Sequence, residues 1–466
     1  MGHGGGPGGR PGRRRRRLAR QLWRRGWMRV FLASPSAHRV YRNIKRSSKR
    51  QPMLGPAYVA AALRQAGHDV GYVDCDALDL FGADAARAIL AADPELVGLS
   101  FTTPLFSEVA DIARHLRAAG WGGHLTLGGV HVTALPEETL TLLPEADSVI
   151  LGEGERSMVL LAEALATGTG LDQVPGLIYR DGDGGLRAVA AQPWQAPQLD
   201  PLPLPALDLY PMERFTSDFW GGHDRRMGVQ ITTRGCPYHC EFCASGGESW
   251  GKLRYHSIDR VIEESWRLKN QFGADYLVFN DDTFTVKPSR CLDIAQRLRA
   301  EGLDLPFMVT ARVDAISENL LAELAAAGCF MITYGVESGS NEVLRHIGKN
   351  TTTDLARKAV RDAQKHGIKV VGNFMFGHYP DDEASCQSTL DLAQELACDV
   401  SQFSITVPYP GTQLYRQALA EGRLEIAPFY DNFGYYGNVP WRHPRLDGQW
   451  LLDMQQRAYQ VMAGRG

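Results

Sequence analysis

Thr233-Arg234-Gly235-Cys236-Pro237-Tyr238-His239-Cys240-Glu241-Phe242-Cys243 places three of the chain's eight cysteines within eight residues. Eight cysteines scattered over 466 positions would produce this spacing roughly 0.002 times, so chance does not account for it. A structural zinc site needs four ligands; His239 or His256 offers one, but no second cysteine pair stands nearby at finger-like spacing. A [4Fe–4S] cube takes thiolates at its corners, and three from one short loop leave the fourth iron open to a substrate or cofactor. The other cysteines, Cys75, Cys291, Cys329, Cys386 and Cys398, are isolated from one another. That is no disulfide framework, and it points to a reducing, cytoplasmic compartment.

C-terminal to the cysteines, strand and helix patterns alternate. With the strand that precedes the cysteines, six strands are expected, at Val229–Thr233, Tyr276–Asn280, Phe307–Thr310, Phe330–Tyr334, Lys369–Phe374 and Gln402–Thr406, separated by helical stretches such as Ile258–Phe272 and Asp354–His366. Six βα units over 228–420 make a partial (β/α)6 TIM-type barrel whose functional loops lie at the carboxyl ends of the strands. The cysteine loop follows the first of these strands directly. The stretch 421–466 reads as a short aromatic extension that either caps the barrel or packs against it.

N-terminal to the cysteines, residues 28–170 also alternate, with strands expected at Arg29–Ala33, Val70–Asp74, Leu96–Phe101, Leu125–Leu127 and Ser148–Leu151 and helical spacing at Gly55–Gly67 and Ser107–Ala119. This is an α/β, doubly wound, Rossmann-like pattern, in which ligands sit beyond the carboxyl ends of the strands. Those ends carry Ser100-Phe101-Thr102-Thr103, Gly128-Gly129-Val130-His131 and Gly152-Glu153-Gly154-Glu155. Between the two patterns, 171–227 reads as a linker, with a hairpin around Asp181 to Gly185 and then a proline-rich stretch. Residues 1–27, with Arg13 to Arg17, lack an apolar core and read as a disordered extension.

Hydrophobic residues make up 44% of the chain and charged residues 22%, enough for sizeable cores. Fifty basic against 53 acidic side chains leave a net charge of −3, which argues against a dedicated nucleic-acid or membrane-surface protein and for small-molecule partners. No apolar run is long enough to span a bilayer.

The cysteine motif with its six βα units resembles the radical S-adenosylmethionine (SAM) superfamily, and the preceding α/β domain resembles that of its cobalamin-binding subfamily. The resemblance runs from Met28 to about Tyr415. It implies that Cys236, Cys240 and Cys243 hold a [4Fe–4S] cluster whose open iron chelates SAM, and that reduction splits SAM into methionine and a 5′-deoxyadenosyl radical. Asn280-Asp281-Asp282, Arg312 and Glu337-Ser338 match segments that surround SAM in the family. By that analogy Phe242 lies beside adenine, Asp281 and Asp282 near the methionyl amine, and Arg312 and Glu337 near carboxylate and ribose. An alternative is that Arg312 and Glu337 simply pair with each other across the barrel mouth.

Thr102, Thr103, Gly128, Gly129, His131, Gly152, Glu153 and Gly154 resemble the corrin-facing loops of the subfamily. No Asp-x-His-x-x-Gly element is present, and the resemblance implies that cobalamin can bind without a protein imidazole below the metal; His131 is a candidate ligand, though a lone histidine is more often a hydrogen-bonding structural residue. The resemblance implies a cobalamin-dependent C-methyltransferase of secondary metabolism, served by an electron donor such as flavodoxin or ferredoxin. The alternative is a methyl-free radical reaction on the same architecture, such as diol dehydration, oxidative cyclisation or rearrangement. For that reaction Glu153, Asp282, Glu337 and Tyr409 are candidate acids or bases.

Overall fold

The computed structural model describes residues 27–37, 40, 50–217, 224–245 and 252–464. The expected arginine-rich extension lies outside them except for Trp27. Two seven-stranded sheets organise the rest.

The first sheet contains β1 (Arg29–Ser34), β2 (Asp69–Asp74), β3 (Leu96–Ser100), β4 (His124–Gly128), β5 (Ser148–Ile150), β6 (Leu177–Arg180) and β7 (Leu186–Ala188), in the order β2-β1-β3-β4-β5-β6-β7. The first five are parallel, and the hairpin β6–β7 adds antiparallel strands at one edge. Helices cover both faces, so a central strand such as Leu96-Val97-Gly98-Leu99 is buried throughout and reads as a continuous apolar run.

The second sheet begins with β8 (Thr216–Ser217) and β9 (Arg225–Gln230). A small ribbon, β10 (Thr233–Arg234) with β11 (Arg254–Tyr255), follows, and then β12 (Tyr276–Phe279), β13 (Phe307–Arg312), β14 (Cys329–Glu337), β15 (Lys369–Phe376) and β16 (Val400–Ile405). Strands β9 and β12 to β16 run parallel, with β8 antiparallel at the far edge, which gives the six-unit partial barrel. Local signals set the crossovers. The helix Ile258–Phe272 starts where the Ser257 hydroxyl accepts from the Arg260 N–H and stops at Gly273, whose φ of +65° suits a left-handed cap.

Three segments differ from the sequence expectation. The stretch 171–227 supplies strands to both sheets, because the apolar face of Leu177–Arg180 extends the first sheet and Thr216–Ser217 pairs into the second. Strand β14 continues through Gly335-Val336-Glu337, which composition marks as a loop. A register shift against β15 lies there, and Glu337 adopts φ +66°, as at a bulge that re-aims a side chain.

The C-terminal stretch holds a 16-residue helix, Gly448–Ala463, that covers the open edge of the barrel. The Tyr459 hydroxyl bonds both the N–H and the C=O of Phe403 on the edge strand β16, at 3.0 and 3.1 Å, and Gln455 donates to the same carbonyl at 2.8 Å. These bonds satisfy backbone groups that an exposed edge strand would offer to other chains. Farther up the tail, Tyr430 and Phe433 are fully buried in the core of the first domain, and the Tyr430 hydroxyl donates to Glu138 at 2.6 Å.

Candidate functional site

The cysteine loop leaves the barrel at the carboxyl end of β9 and turns at Gly235, whose φ of +86° suits glycine. Asp281, at the end of β12, fastens the base of this loop. It accepts from the backbone N–H groups of Thr232 and Thr233 at 2.7 and 2.6 Å and from their hydroxyls at 2.9 and 2.8 Å. All its accepting positions face the protein, so Asp281 anchors the loop and does not reach toward a ligand amine as expected. Asn280 and Asp282, on either side of it, open onto a cavity.

Cys236, Cys240 and Cys243 are half-buried and unpaired. Burial pushes the thiols of Cys240 and Cys243 up, the latter to about 11, while Lys349 and Arg312 pull Cys240 the other way. Among the described residues no three His, Cys, Asp or Glu side chains converge on one metal-ion position. An iron–sulfur cube takes one thiolate per iron, so three separate sulfurs on one loop match its donor set.

Arg312 lies against this loop. Its guanidinium stands 3.8 Å from the centre of the Tyr238 ring and 3.9 Å from the Cys240 sulfur, pairs with Asp314 through two bonds of 2.9 Å, and donates to the carbonyl of Lys349. Glu337 pairs with Lys349 at 2.7 Å, and both are buried. Arg312 and Glu337 therefore do not pair with each other; each has its own partner, and Lys349 bridges them. Lys349 stands in no sequence motif, because a lone lysine carries no spacing signal, whereas Asp314 closes the family-like segment 311–314 that contains Arg312.

Phe242 packs against Val343, Leu344 and Ile347 on one side and Leu414 and Trp441 on the other, with the His378 ring 5.2 Å away. Ser338 is fully buried, 3.4 Å from the Thr389 hydroxyl, and accepts from the Ser340 N–H. Its hydroxyl thus organises the turn after β14 instead of lining an open space.

The strand ends of the first sheet face the cysteine loop across a cavity of about 570 Å³. Thr102, Gly128, Gly129, Gly152, Glu153 and Gly154 line one wall, and Arg234, Gly235, Asn280 and Asp282 line the other. A Cβ on Gly128 would meet nothing nearer than 4.0 Å, so the glycine leaves open space at the strand end; at Gly129 (φ +102°) a Cβ would strike the Phe101 backbone. Gly128 leaves room for a broad ligand to approach the backbone closely, which suits a corrin, whereas Gly129 lets the turn pack against Phe101.

His131 and Thr103 are placed elsewhere. His131 is 1% exposed and set among Phe101, Phe106 and Tyr430, with Nδ1 3.1 Å from the Thr103 hydroxyl. Burial pushes its imidazole down to about 3, so it is neutral. It lies behind the loop with Thr103, away from the residues that line the cavity wall.

Glu153 lines the cavity but is already engaged. Arg254 grips it at 2.5 and 3.1 Å, the Ala196 N–H donates at 2.8 Å, and Arg234 stands 3.4 Å away. Burial alone would raise its carboxyl; the two arginines and the N–H hold it below the usual range. Glu155 pairs with Arg234 at 2.7 Å, and the Arg234 guanidinium lies 4.7 Å above the Tyr58 ring. This buried charge cluster joins the glycine-rich turn of the first domain to Arg234, two residues before Cys236.

The comparisons agree with this geometry. The radical SAM superfamily profile matches residues 231–393 and that of the B12 binding domain matches 46–162. A Pyrococcus horikoshii protein named uncharacterized methyltransferase PH0819 is 35% identical, over 80% of each chain. The cytidylyl-2-hydroxyethylphosphonate methyltransferase of Streptomyces wedmorensis is 27% identical, over 85% of this chain and 82% of its own. The fold matches that of TsrM from Kitasatospora setae, a radical S-adenosylmethionine methyltransferase solved with cobalamin and a [4Fe–4S] cluster, at a TM-score of 0.69 and 20% identity over 84% of this chain and 78% of that one. With both domains in place around one cavity, the chain belongs to the radical SAM superfamily, in the group that carries a B12-binding domain.

Proposed function

We propose that this protein is a cobalamin-dependent radical SAM methyltransferase that acts on an unreactive carbon of a small molecule in a biosynthetic pathway. The observation that carries the reading is the single cavity bounded by the glycine turns of the B12-type domain on one side and by the cysteine loop on the other. Two ligands held at those walls face each other with room for a substrate between them. Relatives named as methyltransferases over most of their length support it.

A [4Fe–4S] cluster supplies the electron that cleaves the SAM sulfonium, and cobalamin supplies a methyl carrier. Cys236, Cys240 and Cys243 hold the cluster. Arg312 and the Lys349–Glu337 pair present charges of both signs beside it, matching the carboxylate and ammonium of a zwitterionic methionyl group. Asp282 and Asn280 close the mouth on the barrel side, and Gly128, Gly129, Gly152 and Gly154 cradle the corrin. Glu153 and Asp281 act as positioning residues, since their oxygens are committed to protein donors.

Two further elements complete the reading. The electron comes from a flavodoxin or ferredoxin, and the protein works in the cytoplasm; all eight cysteines are free, as in a reducing compartment, and no helix of the described residues is long and apolar enough to cross a membrane. We also take residues 28–170 and 228–420 as the two principal domains.

The test is made on anaerobically purified, iron–sulfur-reconstituted protein incubated with hydroxocobalamin and freed of excess. Stoichiometric corrin bands are expected, and turnover should yield both 5′-deoxyadenosine and S-adenosylhomocysteine. Substrate-dependent deoxyadenosine without S-adenosylhomocysteine would overturn methyl transfer in favour of a methyl-free radical reaction.

A further inference from the structure

A second cavity, of about 540 Å³, adjoins the first, and Val130, Gly152 and Ala244 belong to the walls of both. Ala244 directly follows Cys243, so the junction lies beside the cysteine loop. Beyond it the wall turns polar, with Thr133, Gln192 and Gln195, and is completed by Pro410 and Gly411 after the last barrel strand and by Arg416.

Arg416 is the one ionisable residue on this wall among the described residues. Its guanidinium donates to the Gly411 carbonyl at 3.2 Å and makes no ion pair among the described residues. The first cavity presents the opposite case: Arg234 and Arg254 on its wall are both neutralised by Glu153 and Glu155. The second cavity therefore keeps a net positive charge with amide and hydroxyl groups around it, while the space across the junction has no unpaired cation on its wall among the described residues and is rich in glycine and aliphatic side chains. An arginine fork with free donors matches the geometry of a carboxylate or phosphate.

We propose that the second cavity binds an anionic group of the substrate, held by Arg416 with Gln192 and Gln195, so that the reacting carbon extends past Val130, Gly152 and Ala244 into the first cavity. This rests on the reading of the first cavity as the reaction chamber. It assigns the substrate to small molecules that bear a carboxylate or phosphate at one end and the carbon to be modified at the other.

Inorganic pyrophosphate serves as the probe, titrated calorimetrically into the cluster-reconstituted full chain with and without bound cobalamin. One saturable site is expected in both forms. R416Q should weaken it at least about tenfold, and R416K should recover part of the loss. Both variants should keep the wild-type corrin spectrum and far-UV circular dichroism, since Arg416 is exposed and its guanidinium bonds the Gly411 carbonyl. Equal affinity in R416Q, or no binding to the wild type, overturns the proposal. So does binding that disappears once cobalamin is loaded, because the site would then serve the phosphodiester of the cofactor. Failure of the wild type to retain corrin would count against the methyltransferase reading instead, and the titration of the cobalamin-free protein would still report on this site.

Discussion

Arg234 and Glu155 meet at 2.7 Å across the boundary between the two domains, each with a side chain at most 13% exposed. Arg234 stands two residues before Cys236, and Glu155 opens the helix that follows the glycine turn on the cavity wall. The pair thus ties the cysteine loop to the glycine turn on the opposite wall of the cavity. Removing Glu155 leaves Arg234 buried with only Glu153, at 3.4 Å and shared with Arg254, so the cost falls below the about 3–5 kcal/mol of a fully orphaned buried charge. E155A should lower the urea midpoint of the apo protein by less than that equivalent, and E155Q should do so less still, since it keeps an acceptor for Arg234. A midpoint unchanged in E155A would show that the domains do not depend on this contact.

The His131 environment leads to two expectations. His131→Phe keeps the aromatic packing and should leave the visible spectrum of bound cobalamin unchanged, because the imidazole does not reach the cavity. A shifted cobalt spectrum would place the ring on the metal after all.

The second concerns acid. Burial holds His131 and His378 at about 3 and His256 at about 4, well below the ordinary value of 6.5. A folded state that resists protonation is favoured above the unfolded pKa, so stability is fully present above about pH 6.5 and declines as the pH falls toward the folded values. Carboxyls that burial raises, Glu241 and Glu264 to about 7 among them, act in the opposite direction, so the check is a difference: between pH 7 and pH 4 the urea midpoint of His131→Phe should lose less than that of the wild type.

Lys349 is expected to matter more than its place in a turn indicates. K349M leaves Glu337 buried without its counter-charge and removes one of the two cations beside Cys240. SAM affinity of the reconstituted protein should drop at least about tenfold. Iron content should stay near wild type, since the three cysteines are untouched. Loss of iron together with SAM binding would instead make Lys349 part of the loop scaffold.

Alanine at Cys236, Cys240 or Cys243 should each abolish the cluster absorbance near the visible edge, whereas alanine at Cys291 or Cys398 should leave it intact. Both of the latter are buried, and burial pushes their thiols up to about 12, as expected of inert packing residues.

Periodicity in the sequence located all six barrel strands to within a few residues, because buried parallel strands are short apolar runs between amphipathic helices. It stopped β14 short, since Gly335 and Ser338 resemble loop residues and the bulge that carries Glu337 leaves no spacing signature. The cysteine loop was legible for the opposite reason: its chemistry requires three thiols on a short segment. The partners of charged residues were not legible. Arg312 with Asp314, Glu337 with Lys349 and Glu153 with Arg254 are pairings made by the fold, two of them across a dozen residues or more of chain. The motif residues Asp281, Ser338 and His131 face inward, and a sequence does not report which way a side chain turns at the end of a strand.

The aromatic stretch near the C-terminus bears on how the protein is made. Tyr430 and Phe433 complete the core around Phe106 and His131, so the N-terminal sheet begins to form long before its last core residues leave the ribosome. During synthesis the apolar surface they cover stays exposed until the barrel has been translated. A version truncated after the first sheet would leave that apolar surface uncovered and is expected to aggregate.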